Sequence, residues 1–203
     1  MILVFDTEAL RTKPPEMPWP TYRESAGMSV ACTMSYPEGL LKFYSVADEE
    51  LGDPSYSIAG LADDLEAADL VVSYNGAWWD LPALSKTLGG RYVAPARHYD
   101  IWRAIHTALG GDRWPKGSWK LDRVSQTTLG LRKTSEGAMA PSLWANRRLA
   151  ELFSYVTRDV QITWRLFDHI LTYGWVMDPV GNELHLATEE LEEWQEEAKS
   201  NGQ

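Results

Sequence analysis

The stretch MILVFDTEAL, residues 1–10, places two carboxylates, Asp6 and Glu8, directly after a short apolar run. The apolar residues before Asp6 predict a short buried β-strand. An ionised carboxylate is costly to bury unless an opposite charge or hydrogen bonds compensate it. The two acids therefore either leave the core for solvent or face a cation, and the rest of the chain decides between these alternatives.

Hydrophobic patterns along the chain predict an α/β fold with a mixed β-sheet flanked by α-helices. We expect three strands first, the second and third joined as a hairpin, then alternating helices and strands, then a mainly helical second half. The strands are predicted at residues 29–36, 40–47, 69–75 and 93–100, and the helices at 57–68, 81–89, 101–109, 118–130 and 149–173. A hairpin at 175–186 and an acidic helix after Thr188 follow, and Ser118 is the expected cap of its helix.

Two segments lack a sustained hydrophobic period. Residues 9–28 contain four prolines, so we expect a loop there, and a loop of that length in a compact domain is usually functional. Residues 134–142, TSEGAMAPS, are expected to be a second irregular and flexible stretch. Neither segment by itself indicates a function.

Composition is typical of a globular protein that does not enter a membrane. Of the 203 residues, 44% are hydrophobic and 24% are charged, and no apolar run approaches the roughly 20 residues of a membrane span. A single cysteine, Cys32, excludes an intrachain disulfide framework and a cysteine-rich zinc site. We therefore expect one cytoplasmic protein domain without a signal peptide.

The net charge of −10 argues at first against a nucleic-acid partner, but the charge is unevenly distributed. Residues 91–165 contain thirteen Lys and Arg against six Asp and Glu, a balance of +7, and the remainder has a balance of −17. A basic region of this kind either contacts nucleic acid or only keeps the protein in solution.

Two further acids occupy positions that resemble that of Asp6. Asp80 follows a predicted buried strand and begins a helix, and Asp159 lies inside the long helix at 149–173. Tyr155 precedes Asp159 by four residues, so both side chains share one helical face. Four carboxylates could hold two divalent metal ions, which stabilise the attacking and leaving oxygens of a phosphoryl displacement. Mg²⁺ and Mn²⁺ prefer such oxygen ligands.

The segments FDTE, YNGAWWD and YVTRD resemble the three exonuclease motifs of the DEDD superfamily. The Tyr-x-x-x-Asp form of the third motif is that of the tyrosine subclass, DEDDy. The pattern is similar to the proofreading domains of family B polymerases and to stand-alone ribonuclease-H-like exonucleases. It implies a ribonuclease-H-like exonuclease domain at residues 1–175, with the hairpin and acidic helix of 176–203 as an appendage of the same domain.

The resemblance also implies a role for each matching residue. Asp6, Glu8 and Asp159 would hold the metal ion that binds the attacking water, and Asp6 would also reach the second metal ion. Asp80 would act mainly through waters on the second ion, and Tyr155 would orient the attacking water. Two Mg²⁺ or Mn²⁺ ions are the implied cofactors. The implied reaction removes nucleoside 5′-monophosphates from the 3′ end of a nucleic acid, single-stranded DNA being favoured and RNA being an alternative.

Several residues are candidates for substrate contact. The resemblance implies that Thr7 and Asn75 help to bind the terminal nucleotide. The segment GGDRWPKGSWK interleaves aromatic and basic side chains, a composition that suits single strands because bases stack while phosphates need counter-charge. Its candidate contacts are Trp114, Lys116, Trp119 and Lys120.

Other functions remain open at this point. A catalytically silent ribonuclease-H-like module would bind nucleic acid or protein, although such a module needs no complete set of acids. A phosphatase of the haloacid-dehalogenase type also ends an apolar strand with Asp, but it requires D-x-D, and residue 8 is Glu. An endonuclease or an RNA-trimming enzyme would use the same acids. The long segment after Glu8 departs from the family pattern and could cover the site, recognise a particular 3′ end or bind a replication or repair partner.

Overall fold

The structure is a computed structural model that describes residues 1–47, 56–111, 119–132, 139–188 and 191–194. The chain divides into two compact units. The first unit comprises Met1–Asp100 and Lys133–Trp164, and the second comprises Ile101–Arg132 and Arg165–Gln203. The boundary expected at residue 175 follows a different division and stays a prediction.

The N-terminal strand is the centre of a five-stranded mixed sheet in the first unit. The strands are β1 (Ile2–Ala9), β2 (Met28–Tyr36), β3 (Leu41–Ser45), β4 (Leu70–Ser73) and β5 (His98–Asp100), in the order β3-β2-β1-β4-β5. The first three pair antiparallel, whereas β1 with β4 and β4 with β5 pair parallel. This sheet confirms the predicted α/β fold with a mixed sheet.

Helices of the first unit are α1 (Trp19–Ala26), α2 (Ile58–Ala67), α3 (Asp80–Thr87), α6 (Ala140–Ala145) and the part of α7 (Leu149–Tyr173) up to Trp164. The N-terminus of α2 is capped by Ser57, whose Oγ accepts a hydrogen bond from the Gly60 amide at 3.0 Å. The predicted helices at 57–68, 81–89 and 149–173 are therefore confirmed within one residue at most ends.

The core of the first unit lies between the sheet and helices α2 and α3. Buried side chains of the strands meet buried side chains of the helices there, including Leu3, Phe5, Val71, Leu61 and Leu84. Burial of such aliphatic and aromatic side chains stabilises the fold by about 1.5–3 kcal/mol each. The same side chains hold β1 rigid along its length.

Helix α7 is anchored to β2 and β3. The ring of Phe153 packs edge-on against Phe43 with centroids 5.1 Å apart. Trp164 follows Asp159 on the same helix, and its indole N–H donates a hydrogen bond to the Ser35 carbonyl at 3.1 Å. These contacts fix the position of α7 along the antiparallel strands.

The second unit contains α4 (Ile101–Ala108), α5 (Leu121–Leu129), the end of α7 and the hairpin of β6 (Trp175–Met177) and β7 (Glu183–His185). Helix α5 ends at Gly130, which adopts a left-handed conformation with φ of 70°. The Met177 amide donates to Thr128 Oγ1 at 3.0 Å and ties the hairpin to α5. Residues 191–194 are helical.

Three further sequence-based expectations concern the segment before β2, the segment that leads into α6 and the cap of α5. The loop predicted at 9–28 is wrong in its second half, where α1 forms. Its prolines fall at or before the first helical turn, where a missing N–H costs nothing, and Tyr22 and Ala26 share a buried face. The flexible stretch predicted at 134–142 contains the start of α6, and its residues up to 138 lie outside the described ranges. The expected cap Ser118 also lies outside them.

Within the part of the chain that the structure describes, no helix is both long and apolar enough to cross a lipid bilayer.

Candidate functional site

Three carboxylates converge where β1 meets helix α7. Asp6 and Glu8 project from one face of β1 because side chains alternate along a strand, and Asp159 reaches them from the helix. One oxygen of each carboxylate lies within 4.8 Å of the other two. Glu8 and Asp159 are buried, with exposed fractions of 7% and 4%. Like charges this close and this buried repel one another, so a bound cation would stabilise their ionised forms.

The two edges of strand β1 are hydrogen-bonded over different lengths, and this difference leaves one side of the acidic half unpaired by β4. Its parallel pairing with β4 runs only from Ile2 to Val4, whereas its antiparallel pairing with β2 continues to Ala9, with a register shift after Glu8. The acidic half of β1 is therefore held by β2 on one side and open toward β4 on the other. A strand held in this way positions side chains more precisely than a loop would.

Asp80 occupies the open edge of β1 and is not a member of the three-carboxylate group. Both the hydroxyl and the backbone N–H of Thr7 donate hydrogen bonds to its carboxylate. Burial, and secondly the charge of Asp100, raise the pKa of Asp80 to about 7, although the hydrogen bonds from Thr7 oppose the shift. The fourth predicted acid thus lies against the residue between Asp6 and Glu8, and a nearby cation would favour its ionised form.

Asp100 holds the loop that leads from β4 to Asp80. Its two carboxylate oxygens accept hydrogen bonds from the backbone amides of Asn75 at 2.7 Å and Ala77 at 3.0 Å. It is 6% exposed. Sequence reasoning missed this residue, and the available signal was an aspartate at the end of a predicted strand, as at Asp6. Asp100 is therefore a positioning residue for the loop and, through the loop, for Asp80.

The backbone of this loop restricts which residues can occupy two of its positions. Asn75 adopts a positive φ of 69°, which Asn tolerates better than most residues. Gly76 is required because a Cβ there would lie 2.5 Å from Ser73 Oγ. The Asn75 carbonyl accepts from the Trp79 amide at 3.0 Å, which starts the turn into α3. Asn75 therefore shapes the loop through its backbone, and its predicted contact with a nucleotide stays a prediction.

Tyr155 lies one turn before Asp159 on α7 and is 8% exposed. Burial first, and then the charges of Asp159, Glu8 and Asp6, raise the pKa of its phenol. The phenol therefore keeps its proton at neutral pH and can donate a hydrogen bond to a group bound beside the carboxylates. Tyr22 on α1 is influenced by the same group, since burial and then the charge of Glu8 raise its pKa.

Four further substrate contacts are predicted from the sequence. Trp114 and Lys116 lie outside the described residues. Trp119 and Lys120 belong to the second unit, where Lys120 is exposed and Trp119 is only 8% exposed. A ring that is so deeply buried offers little face to a nucleobase, so Trp119 does not enter the function proposed below.

Comparisons with known proteins agree with this architecture. The sequence matches the family model RNase_H_2, described as RNase_H superfamily, over residues 27–171. It has no significant match among curated proteins. Its fold is similar to that of the family B DNA polymerase from the hyperthermophilic archaeon Pyrobaculum calidifontis, with a TM-score of 0.60 and 20% sequence identity. That match covers 84% of this chain and 24% of the polymerase chain, so this chain spans about a quarter of the polymerase.

The family model covers well over half of the 203 residues, including β2 to β5 and most of α7. The sheet order and the mixed pairing of its strands are consistent with that match. This chain therefore belongs to the RNase_H superfamily.

Proposed function

We propose that this protein is a metal-dependent 3′–5′ exonuclease of the tyrosine subclass of the DEDD superfamily. It hydrolyses the terminal phosphodiester bond at the 3′ end of a nucleic acid and releases nucleoside 5′-monophosphates. The observation that carries the proposal is the group of Asp6, Glu8 and Asp159, two of them buried, with Tyr155 one helical turn from Asp159, in a superfamily whose members are commonly nucleases. A protein that only binds nucleic acid gains nothing from three converging carboxylates.

The donor set fits hard divalent cations. All three members of the group are carboxylates, and Mg²⁺ and Mn²⁺ prefer oxygen ligands. Asp6, Glu8 and Asp159 would hold one of two ions, while Asp6 and Asp80 would contribute to the second. When bound, the ions would supply positive charge that stabilises the attacking and leaving oxygens of the displacement.

The residues of the chain orient the water and the substrate. The protonated phenol of Tyr155 donates a hydrogen bond to the attacking water, and the carboxylates of Glu8 and Asp159 accept hydrogen bonds from it. The water oxygen forms a bond to phosphorus as the bond from phosphorus to the 3′ oxygen breaks. The 3′ oxygen takes up a proton, and the water loses one to solvent. The phosphate stays on the 5′ oxygen of the released nucleotide.

The substrate assignment is a single strand with a free 3′ end, DNA being favoured and RNA being possible. Thr7 donates a hydrogen bond to Asp80, and the Asn75 carbonyl accepts one from the amide of Trp79, the residue before Asp80. These contacts support their proposed place beside the terminal nucleotide. The basic balance of residues 91–165 supports a polyanionic substrate, and Lys116, Lys120 and Trp114 stay predictions within that segment. The fold shared with a DNA polymerase supports a replication or repair partner. A cytoplasmic location likewise stays a prediction.

A gel assay on a 5′-labelled single-stranded DNA oligonucleotide tests the proposed function. We expect a ladder that shortens from the 3′ end in Mg²⁺ or Mn²⁺, no ladder in EDTA, and none with Asp6→Ala. Glu151→Gln is the matched control, because Glu151 is an exposed acid on the same helix as Asp159 and pairs with Arg148. Equal cleavage by Asp6→Ala and the wild type would refute the assigned site. No cleavage of either DNA or RNA by the wild type would refute the nuclease and favour a silent binding module.

A further inference from the structure

We propose that Trp19, Trp78 and Trp79, with the buried ring of Tyr22 packed against them, form a stacking platform that binds the unpaired bases of a single strand next to the carboxylate group. The inference rests on the proposed nuclease function and names the surface that would hold the unpaired bases beside the 3′ end of its substrate. The platform combines helix α1, in the segment that departs from the family pattern, with the loop that leads into α3.

The rings of Trp19, Trp78 and Trp79 and the buried ring of Tyr22 form one continuous aromatic cluster. The centroid of Trp79 lies 5.4 Å from that of Tyr22 and 6.0 Å from that of Trp19, which meets it edge-on at 78°. Trp78 stacks on Trp79, with centroids 6.4 Å apart and planes 29° from parallel. Helix α1 is thus held onto the loop largely by aromatic contacts.

Trp19 is the exposed end of this cluster. Its exposed fraction is 57%, whereas that of Tyr22 beneath it is 5%. Pro18 and Pro20 flank Trp19 and restrict its backbone, and the Tyr22 amide donates to the Pro18 carbonyl at 2.9 Å. A large apolar ring that is held out to solvent by a restricted backbone loses little conformational entropy when a base stacks on it.

Cations border the rings where phosphates of a stacked strand would run. The Lys13 ammonium lies 5.4 Å from the centroid of the Trp19 ring. The Arg23 guanidinium lies 4.9 Å from that of Trp78 and donates to the Trp78 carbonyl at 2.9 Å. Glu16 and Glu24 are exposed in the same segment, so the net positive charge of the segment is small. Stacking, rather than charge, must therefore supply most of the affinity of the platform.

The platform adjoins the proposed reaction site. Trp79 directly precedes Asp80, and Arg23 of α1 donates a hydrogen bond to the carbonyl of Trp78, two residues before Asp80. Aromatic rings bordered by cations are the usual surface for single strands, since unpaired bases expose the faces that a duplex buries. A strand that ends at the carboxylates would thus place its next bases within reach of the rings.

Fluorescence anisotropy with a 5′-labelled oligo(dT) in EDTA tests the platform without any cleavage. We expect Trp19→Ala to raise the Kd about tenfold, the effect of losing one stacked base, and Trp19→Phe to retain most of the affinity. Leu40→Ala is the matched control, because Leu40 is 69% exposed and lies in the hairpin turn between β2 and β3. A blunt duplex of the same length should bind more weakly and should not respond to Trp19→Ala.

Salt dependence separates stacking from charge. Lys13→Ala should lower the slope of log K against log salt by about 0.7, the value for one phosphate contact on a single strand, and Trp19→Ala should leave the slope unchanged. Equal Kd values for Trp19→Ala and the wild type would overturn the platform, and this is the result expected if the surface serves a protein partner. Absence of binding by the wild type would also overturn it. Binding without cleavage in Mg²⁺ or Mn²⁺ would instead overturn the nuclease and leave the platform standing.

Discussion

Tyr155 keeps its proton beside three carboxylates because burial and the charges of Asp159, Glu8 and Asp6 all raise its pKa. A protonated phenol can orient a water but cannot remove its proton. Tyr155 therefore acts by positioning the nucleophile, and the carboxylates carry the negative charge that attracts cations.

Tyr155→Phe isolates this role, because the ring and its packing remain while the hydroxyl is lost. We expect kcat for a single-stranded oligonucleotide to fall about a hundredfold with little change in KM. Tyr173→Phe is the control, since Tyr173 lies on the same helix and is 60% exposed. Steady-state kinetics of the three proteins would measure this, and an unchanged kcat for Tyr155→Phe would remove the phenol from the reaction.

The sequence identified these residues through their spacing together with the resemblance to the three exonuclease motifs. Residues two apart on a strand share a face, as Asp6 and Glu8 do, and residues four apart on a helix do the same, as Tyr155 and Asp159 do. The convergence of the two pairs required the fold. The contribution of Asp100 could not be predicted in this way, because it depends on backbone amides that lie 23 and 25 residues earlier in the chain.

At the scale of elements, periodicity predicted α7 from Leu149 to Tyr173, as the structure has it. Its apolar residues recur every three or four positions, so no other element fits. Helix α1 was missed because it has only eight residues, one of them proline, and is stabilised by tertiary contacts of Tyr22 and Trp19 rather than by local propensity. Short elements of this kind are decided by the packing around them.

The loop between β4 and α3 depends on Asp100, which yields a prediction about stability. Asp100→Ala would leave the amides of Asn75 and Ala77 without their acceptor, so we expect the free energy of unfolding to fall by about 2–3 kcal/mol. Urea denaturation followed by tryptophan fluorescence would measure it. Asp100→Asn keeps one acceptor oxygen and should lose less. A loss below about 0.5 kcal/mol, the range of ordinary surface substitutions, would show that these hydrogen bonds do not stabilise the loop.

At the scale of the whole molecule, the fold and the proposed chemistry rest on different observations. The sheet order and the family match establish the RNase_H superfamily, but function follows from the site that the fold carries. The net charge of −10 would repel a polyanion, and the basic balance of residues 91–165 is the part of the chain that offsets it. With 29 acidic residues, weak cation binding on the surface is expected, so only site-specific loss of binding is informative.

Isothermal titration calorimetry with Mn²⁺ tests the metal centre most directly, because it needs neither substrate nor activity. The wild type and the control Glu151→Gln should bind Mn²⁺ alike, and Asp6→Ala should bind it at least about tenfold more weakly, as expected when a metal ligand is lost. Equal Mn²⁺ affinity in the wild type and Asp6→Ala would contradict the assignment of Asp6, Glu8 and Asp159 as the metal centre of a nuclease.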